Sequence, residues 1–214
     1  MKKTLAILIA ACWLAPAARS QQVIDRIVAQ IGGSVITESQ IVELGRFQKL
    51  VDGKEQTASK RLRELAQQWI VTHDAALNGF QAPSAQDVQS AMAALEKRFG
   101  SATAFQNHLK SVGLSESDAR RLLDREMFLN RYLEYKFRPE VRVDEQQIEK
   151  YYRNTLVPEL KKTGQAVPPI TRVADQVREV LTEQAVSQRA AHWLDQMQER
   201  WKINPIGSTS DPSE

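Results

Sequence analysis

Apolar and polar residues change their spacing once along this chain, from a strand-like pattern near the N-terminus to a helical repeat that continues almost to the end. The β-branched residues of 23–31 precede Gly32-Gly33 and resume at Val35-Ile36, which predicts a strand, a tight turn and a return strand. Thr37 and Gln40 have the spacing of a capping box, so a helix should follow directly. A lone hairpin is marginally stable in water and needs a partner strand or a helical cover.

Downstream of the hairpin, apolar residues recur at helical spacing in separate segments. The second segment is the clearest, because its stripe follows the i, i+3, i+4 rule through five turns. Between 157 and 170 the repeat is lost among Pro158, Gly164 and Pro168-Pro169, which predicts a short exposed connection. The predicted helices cover about 38–51, 58–78, 84–99, 101–112, 115–138, 144–156 and 171–200.

The last predicted helix is the longest and is followed by a strand-like segment. We expect Thr171 to cap this helix, whose length would be roughly 40 Å. Trp201–Ile206 alternates like a strand, and Pro205 is tolerated there only at an edge or an end. Residues 207–214 are predicted to form a disordered tail.

The first 20 residues have the pattern of a secretory signal peptide. Lys2-Lys3 precede an apolar run from Leu5 to Leu14 that is too short to span a membrane, and small residues follow it. We expect export and cleavage near Ser20. The segment around Cys12 also resembles a lipoprotein signal, but the apolar run continues past this residue, so lipid anchoring is the less favoured alternative.

The charge of the chain depends on this cleavage. The sequence has 29 basic and 26 acidic residues, a formal net charge of +3, and Lys2, Lys3 and Arg19 belong to the predicted signal. The remainder is therefore balanced, and nothing points to a nucleic-acid partner. Cys12 is the only cysteine. The exported part would have no disulfide and would depend on an ordinary hydrophobic core.

No motif in the chain indicates catalysis or metal binding. His73, His108 and His192 lie far apart and match no metal-ligand spacing. His73 falls on a helical stripe, where we expect a hydrogen-bonded core or boundary residue. The sequence has no G-x-S-x-G elbow, and Gly32-Gly33 fits a turn rather than a phosphate loop. We therefore expect no enzyme activity, no metal and no cofactor.

Aromatic residues concentrate around the fifth and sixth predicted helices. One interpretation is core packing between these two helices. The other is that some of these side chains line an open groove for unfolded chains, a task that suits aromatic and Met residues. Tyr132 and Tyr135 face different sides of their helix, so at least one should be exposed. The cluster comprises Phe128, Tyr132, Tyr135, Phe137, Tyr151 and Tyr152.

Motifs at the two ends of the chain resemble a known family. They are V-I-D-R-I-V-A-Q-I-G-G-S-V-I-T-E-S-Q-I at 23–41, V-R-V-D-E-Q-Q-I-E-K-Y-Y at 141–152, and R-A-A-H-W-L-D-Q-M-Q-E-R-W-K-I-N-P-I at 189–206. Together they resemble the SurA-type periplasmic chaperones. The resemblance implies a mainly α fold, a multi-helix chaperone domain in which a small antiparallel β element joins the N-terminal hairpin to the C-terminal strand. Ile27, Ile31 and Ile36 should then be buried.

The resemblance also implies a domain organisation with one departure. Members of this family carry parvulin-type prolyl isomerase domains between the two parts, and the segment between Leu156 and Thr171 is too short to hold one. We therefore divide the chain into a signal peptide (1–20), an N-terminal chaperone module (21–156), a short connection replacing the isomerase domain (157–170), a long helix and strand completing the module (171–206) and a tail (207–214).

By this resemblance the protein is expected to be an ATP-independent periplasmic chaperone that binds unfolded or extended segments of envelope proteins, including outer-membrane proteins, in an apolar groove. A homodimer is compatible with this expectation. Two alternatives are a peptidyl-prolyl isomerase, by family association, and a scaffold subunit that holds one folded envelope partner. The candidate groove contacts are Phe99, Phe105, Met127, Phe128, Tyr132, Tyr135 and Trp193.

Overall fold

A computed structural model describes residues 25–206 of the chain, so the predicted signal peptide at 1–20 and the predicted tail at 207–214 lie outside the described residues. The strands are β1 (Ile27–Ile31), β2 (Ser34–Thr37) and β3 (Asn204–Pro205). The α-helices are α1 (Glu38–Asp52), α2 (Ala58–Leu77), α3 (Ala85–Lys97), α4 (Ala102–Val112), α5 (Glu116–Phe137), α6 (Glu145–Tyr151), α7 (Val157–Lys162) and α8 (Ile170–Trp201).

The two ends of the described chain meet in one antiparallel sheet of order β2–β1–β3. Ala29 in the central strand pairs with Ile36 on one side and with Pro205 on the other. The amide of Ile206 donates to the carbonyl of Val28 at 2.9 Å. The fold class predicted above, mainly α with a small β element that joins the chain ends, is therefore confirmed.

Two details of the predicted sheet were wrong. Ile31 and Ile36 are buried as expected, but Ile27 is 40% exposed because the register shifts between Ile27 and Ala29 and breaks the alternation of faces. The C-terminal strand is shorter than Trp201–Ile206, since Trp201 is still helical. Pro205 has no N–H group to donate, so it contributes little to a longer ladder.

The hairpin turn and the start of α1 follow from local sequence. Gly32 and Gly33 have φ angles of +53° and +83°, a region that L side chains adopt at a cost. Thr37 then ends the strand, and its amide donates to Oε1 of Gln40 at 2.9 Å. This bond is half of the predicted capping box, and it satisfies a donor that the helix itself leaves free.

The largest hydrophobic cluster lies between the hairpin and α1, α2, α5 and α8. It includes Ile31 and Ile36 from the sheet and Ile70, Tyr132 and Leu194 from the helices. A second cluster joins α1, α3, α4 and α5, and its buried members include Phe47, Leu50, Met92, Phe105 and Leu109. The hairpin is therefore covered by helices from both halves of the chain.

The segment predicted as an exposed connection is partly helical. The helix of α6 continues through a π-helical turn (Tyr152–Leu156) into α7, so the irregular part is limited to 163–169. Pro158 lacks the N–H group that an α-helical bond requires, and the wider π turn lies directly before it. α8 then begins at Ile170 with Pro169 at its N-cap, so the prediction that Thr171 caps this helix was wrong.

α8 packs against α2, α5 and α6. Its 32 residues correspond to a length of about 48 Å. Val173 and Val177 pack with Ile148 of α6. Val186 and Ala190 pack with Phe137 at the end of α5 and with Val141 after it. Tyr151 and Tyr152 belong to the cluster formed with α8, not to a core between α5 and α6 as one interpretation had it. No helix within residues 25–206 is long and apolar enough to cross a membrane.

Hydrogen bonds and an ion pair around the Tyr132 hydroxyl connect α5 to the C-terminal end of α2. The Tyr132 hydroxyl, whose side chain is 1% exposed, donates to the carboxylate of Asp74 and accepts a hydrogen bond from Asn78 Nδ2 at 3.0 Å. Lys136 Nζ lies 2.8 Å from the same carboxylate. Burial, followed by the hydrogen bond to Asp74, raises the pKa of Tyr132 above its ordinary value, so the phenol stays a donor.

Replacing Tyr132 by Phe is expected to lower the free energy of unfolding by about 1–2 kcal/mol, because the partly buried carboxylate of Asp74 loses one donor. Tyr135→Phe is the matched control: this side chain is 58% exposed, and its change is expected to stay within about 0.5 kcal/mol. Urea unfolding followed by circular dichroism measures both. Equal effects of the two substitutions would contradict the structural role given to the Tyr132 hydroxyl.

Candidate binding groove

A largely apolar groove of about 370 Å³ opens between β2, α2 and α5. β2 is the outer strand of the sheet on this side, and Val35 at its centre is 45% exposed. Large apolar side chains form most of the groove surface, contributed by all three elements. They are Val35, Ile36, Leu65, Trp69, Phe128 and Leu129.

Trp69 forms the wall of the groove next to the hairpin. Its Nε1 donates to Oγ of Ser34 at 2.9 Å, and a Cβ atom on residue 32 would lie 2.1 Å from its Cη2. The indole stacks on His73 with ring centroids 5.0 Å apart, and Trp201 meets both rings edge-on at 5.1 Å. Residues from the hairpin, α2 and the end of α8 therefore fix the position of this side chain.

Phe128 forms the opposite wall and begins a row of aromatic rings. Phe80, after the end of α2, meets it edge-on with centroids 5.6 Å apart. The same Phe80 ring lies 5.1 Å from the ring of Tyr135, whose side chain is 58% exposed. The aromatic surface thus continues from the groove to the exposed face of α5.

Polar residues also line the groove. They are Gln40, Gln68 and Thr72 together with the exposed side chains of Asp124 and Arg125. The hydroxyl of Thr72 donates to the carbonyl of Gln68 at 2.8 Å, so it is already partnered within α2. A mostly apolar lining with a few polar groups is the usual composition of a protein surface that binds a ligand.

The structure brings only part of the predicted contact set to this groove. Phe128 lines the groove. Tyr135 lies outside it but contacts Phe80, which in turn contacts Phe128. The exposure of Tyr135 together with the burial of Tyr132 confirms that these two side chains face different sides. Met127 is half-buried on α5 and is not a lining residue.

The remaining predicted contacts lie elsewhere. Phe105 and Tyr132 are 2% and 1% exposed, so both belong to the core and we do not keep them as groove contacts. Phe99 is half-buried beside Phe105 at 5.4 Å between ring centroids. Trp193 is half-buried against Phe137, with Lys136 Nζ 4.9 Å from its ring centroid.

Sequence reasoning missed several groove residues because their patterns also fit core positions. The sequence pattern places Val35 in the hairpin and Trp69 on the apolar stripe of the second helix, and it marks neither as a groove residue. An apolar stripe shows which side of a helix faces other elements. How many of its side chains those elements cover depends on where the elements lie in the tertiary structure. The one sequence signal for an exposed aromatic surface here was that two large aromatic residues, Trp69 and Phe80, fall on the same stripe.

His73 is half-buried and contacts the rings of both Trp69 and Trp201, a boundary position. Within residues 25–206, no group of three or more His, Cys, Asp or Glu side chains is arranged to hold a metal ion.

Comparisons with known proteins assign no family to the chain. No family model matches the sequence, and a search of the curated proteins finds no match. The resemblance to SurA-type chaperones, which the motifs at the chain ends suggested, stays a prediction.

Proposed function

We propose that this protein is an ATP-independent periplasmic chaperone that holds extended apolar segments of unfolded envelope proteins, outer-membrane proteins among them. The observation that carries the proposal is the open groove between β2, α2 and α5, whose walls are Trp69 and Phe128. The signal-like residues at 1–20 support export to the compartment in which such clients occur.

The size and composition of the groove fit reversible holding. Aromatic side chains bury a large area without requiring one particular sequence in the ligand. Burial of one large apolar side chain contributes about 2 kcal/mol. A groove of about 370 Å³ accommodates few such side chains, so a segment bound there dissociates without an energy source. Weak, sequence-tolerant binding of this kind delays aggregation of a client but leaves it free to fold.

The test is an aggregation assay with a client of the proposed class. A urea-unfolded outer-membrane β-barrel protein is diluted into buffer, and light scattering is followed with and without the protein at near-stoichiometric ratio. We expect slower aggregation with the wild type. Val35→Gln is expected to weaken this effect about threefold to tenfold, because it replaces an apolar side chain that lines the groove by a polar one.

Val42→Gln is the matched control for this substitution. Val42 is 41% exposed, close to the 45% of Val35, but it does not line the groove. It should leave the assay unchanged. If the wild-type protein neither slows aggregation nor binds the unfolded client, the proposal is wrong. If Val35→Gln and Val42→Gln weakened the protection against aggregation equally, the groove would not be the client-binding site.

Two further assays separate the alternative functions. In a pull-down from envelope extract, a chaperone is expected to return many unfolded clients, and a scaffold subunit one folded partner. A protease-coupled assay on a proline peptide would show turnover only if the protein is an isomerase.

A further inference from the structure

A second depression, of about 530 Å³, adjoins the groove and shares Gln68 and Leu129 with it. It lies between α1, α2 and α5, and its apolar side includes Leu44 and Leu122. The two depressions therefore follow one another along the same α2–α5 seam. An extended segment that fills the groove can continue into this second space.

The second depression is lined by more negatively than positively charged side chains. Three carboxylates, Asp52 on α1, Glu64 on α2 and Glu126 on α5, line it together with Lys60 and Arg63. Among the ion pairs within residues 25–206, none joins Lys60 or Arg63 to these carboxylates. The side chain of Gln48, only 6% exposed, donates to Oε2 of Glu64 at 2.8 Å.

The energetic state of two of these carboxylates favours a cationic ligand. Desolvation raises the pKa of Glu64, and the charges of Glu126 and Asp52 raise it further. Desolvation and then Asp52 do the same for the pKa of Glu126. The hydrogen bond from Gln48 lowers the pKa of Glu64 and so offsets part of this effect. Glu64 is half-buried, so its negative charge is held at a cost that an incoming cation would offset, whereas Glu126 is exposed and adds its negative charge to the same depression.

We infer that the segment held in the groove carries a lysine or arginine next to its apolar residues, and that this cation enters the depression between Glu64 and Glu126. The inference rests on the proposed function and names the class of segment that the same site selects. The charge complementarity carries it, since the apolar groove alone does not distinguish neighbouring residues. A long aliphatic stem also suits this path, because it passes the apolar contact at Leu129 before its charged end reaches the carboxylates.

The test compares three heptapeptides that share a Phe-Val-Phe core flanked on both sides by two Lys, two Gln or two Glu residues. Symmetric flanks make the result independent of the direction in which the peptide lies. Binding is measured by NMR shift titration, which suits weak affinity. The Lys peptide is expected to bind about fivefold more tightly than the Gln peptide, and the Glu peptide more weakly than either.

Acidification should reduce this preference. The raised pKa values mean that Glu64 and Glu126 take up protons at a pH at which an ordinary glutamate stays ionised, and a protonated carboxyl does not attract a cation. As the pH is lowered from neutral towards the ordinary pKa of glutamate, about 4.3, the advantage of the Lys peptide should therefore fall, whereas binding of the Gln peptide should stay constant. An unchanged advantage across this range would count against the two carboxylates.

The double variant Glu64→Gln with Glu126→Gln should bind the Lys and Gln peptides equally. Glu159→Gln on α7 removes one exposed negative charge outside both depressions and should keep the preference. Equal binding of the Lys and Gln peptides to the wild type, or a preference that survives in the double variant, overturns the inference while leaving the chaperone proposal intact. If none of the three peptides binds and aggregation is not slowed, the proposed function itself fails. The wild-type comparisons at two pH values stand even if the double variant does not fold.

Discussion

Ending the chain at Arg200 is expected to lower the free energy of unfolding by about 4–6 kcal/mol, a large part of the stability of a typical domain. The truncation removes Trp201, whose ring meets Trp69 and His73 at 5.1 Å, and the partly buried Ile203. It also removes β3 and the amide of Ile206 that donates to Val28. The β1–β2 hairpin then loses both the strand that pairs with β1 and part of the helical surface that covers it.

Urea unfolding and thermal melting by circular dichroism measure this effect. The control is a chain that ends at Ile206, which retains every described residue and should melt like the full chain. If the shorter protein does not fold at all, Trp201→Ala in the full chain tests the same contact, with an expected loss of about 3 kcal/mol. A chain ending at Arg200 that melts like the wild type would show that the two ends do not form one cooperative unit.

Gly32→Ala is expected to cost about 2–4 kcal/mol, more than the same substitution at the neighbouring glycine. Both glycines have positive φ angles, +53° and +83°, so both variants carry the strain of a left-handed alanine. At residue 32 the new Cβ would also lie 2.1 Å from Trp69 Cη2, whereas at residue 33 nothing lies within 4 Å. Gly33→Ala should therefore cost only about 1–2 kcal/mol.

The cause of the difference can be isolated by a double-mutant cycle with Trp69→Leu. If the clash with the indole is responsible, the extra cost of Gly32→Ala disappears in the Trp69→Leu background. Displacement of Trp69 should also weaken client binding, because this side chain forms one wall of the groove. Equal costs of Gly32→Ala and Gly33→Ala in the wild-type background would contradict the close contact.

Helix positions were predictable because they depend on local patterns. The apolar stripe of α2 is a short-range signal, and the observed helices Ala58–Leu77 and Glu116–Phe137 begin and end within a few residues of the predicted bounds. The failure at 157–162 has a local explanation too. The prolines and glycine there argued against a helix, but a π turn placed ahead of Pro158 allows the helix to continue.

The candidate site was less predictable, because exposure is decided by neighbours that are distant in sequence. Tyr132 and Tyr135 are three residues apart on one helix, yet they are 1% and 58% exposed. Periodicity separated their faces but did not say that Asp74 and Asn78 would cover the first of them. The sequence also allowed Phe105 as a groove residue, and only the packing of α1, α3 and α5 around it places it in the core.

The sequence by itself determined the helical class, the positions of most helices and the hairpin with its Gly32-Gly33 turn. It also showed that the hairpin needed a partner, and the motifs at the two chain ends suggested that β3 would supply it. The tertiary structure decided how the two chain ends meet. β3 contributes only two residues, Ile27 stays exposed, and the ring of Trp201 packs edge-on against that of Trp69. The tertiary structure alone revealed the groove, because local periodicity fixes which side of each element is apolar, whereas the apolar surface that remains uncovered is set by how elements far apart in sequence pack together.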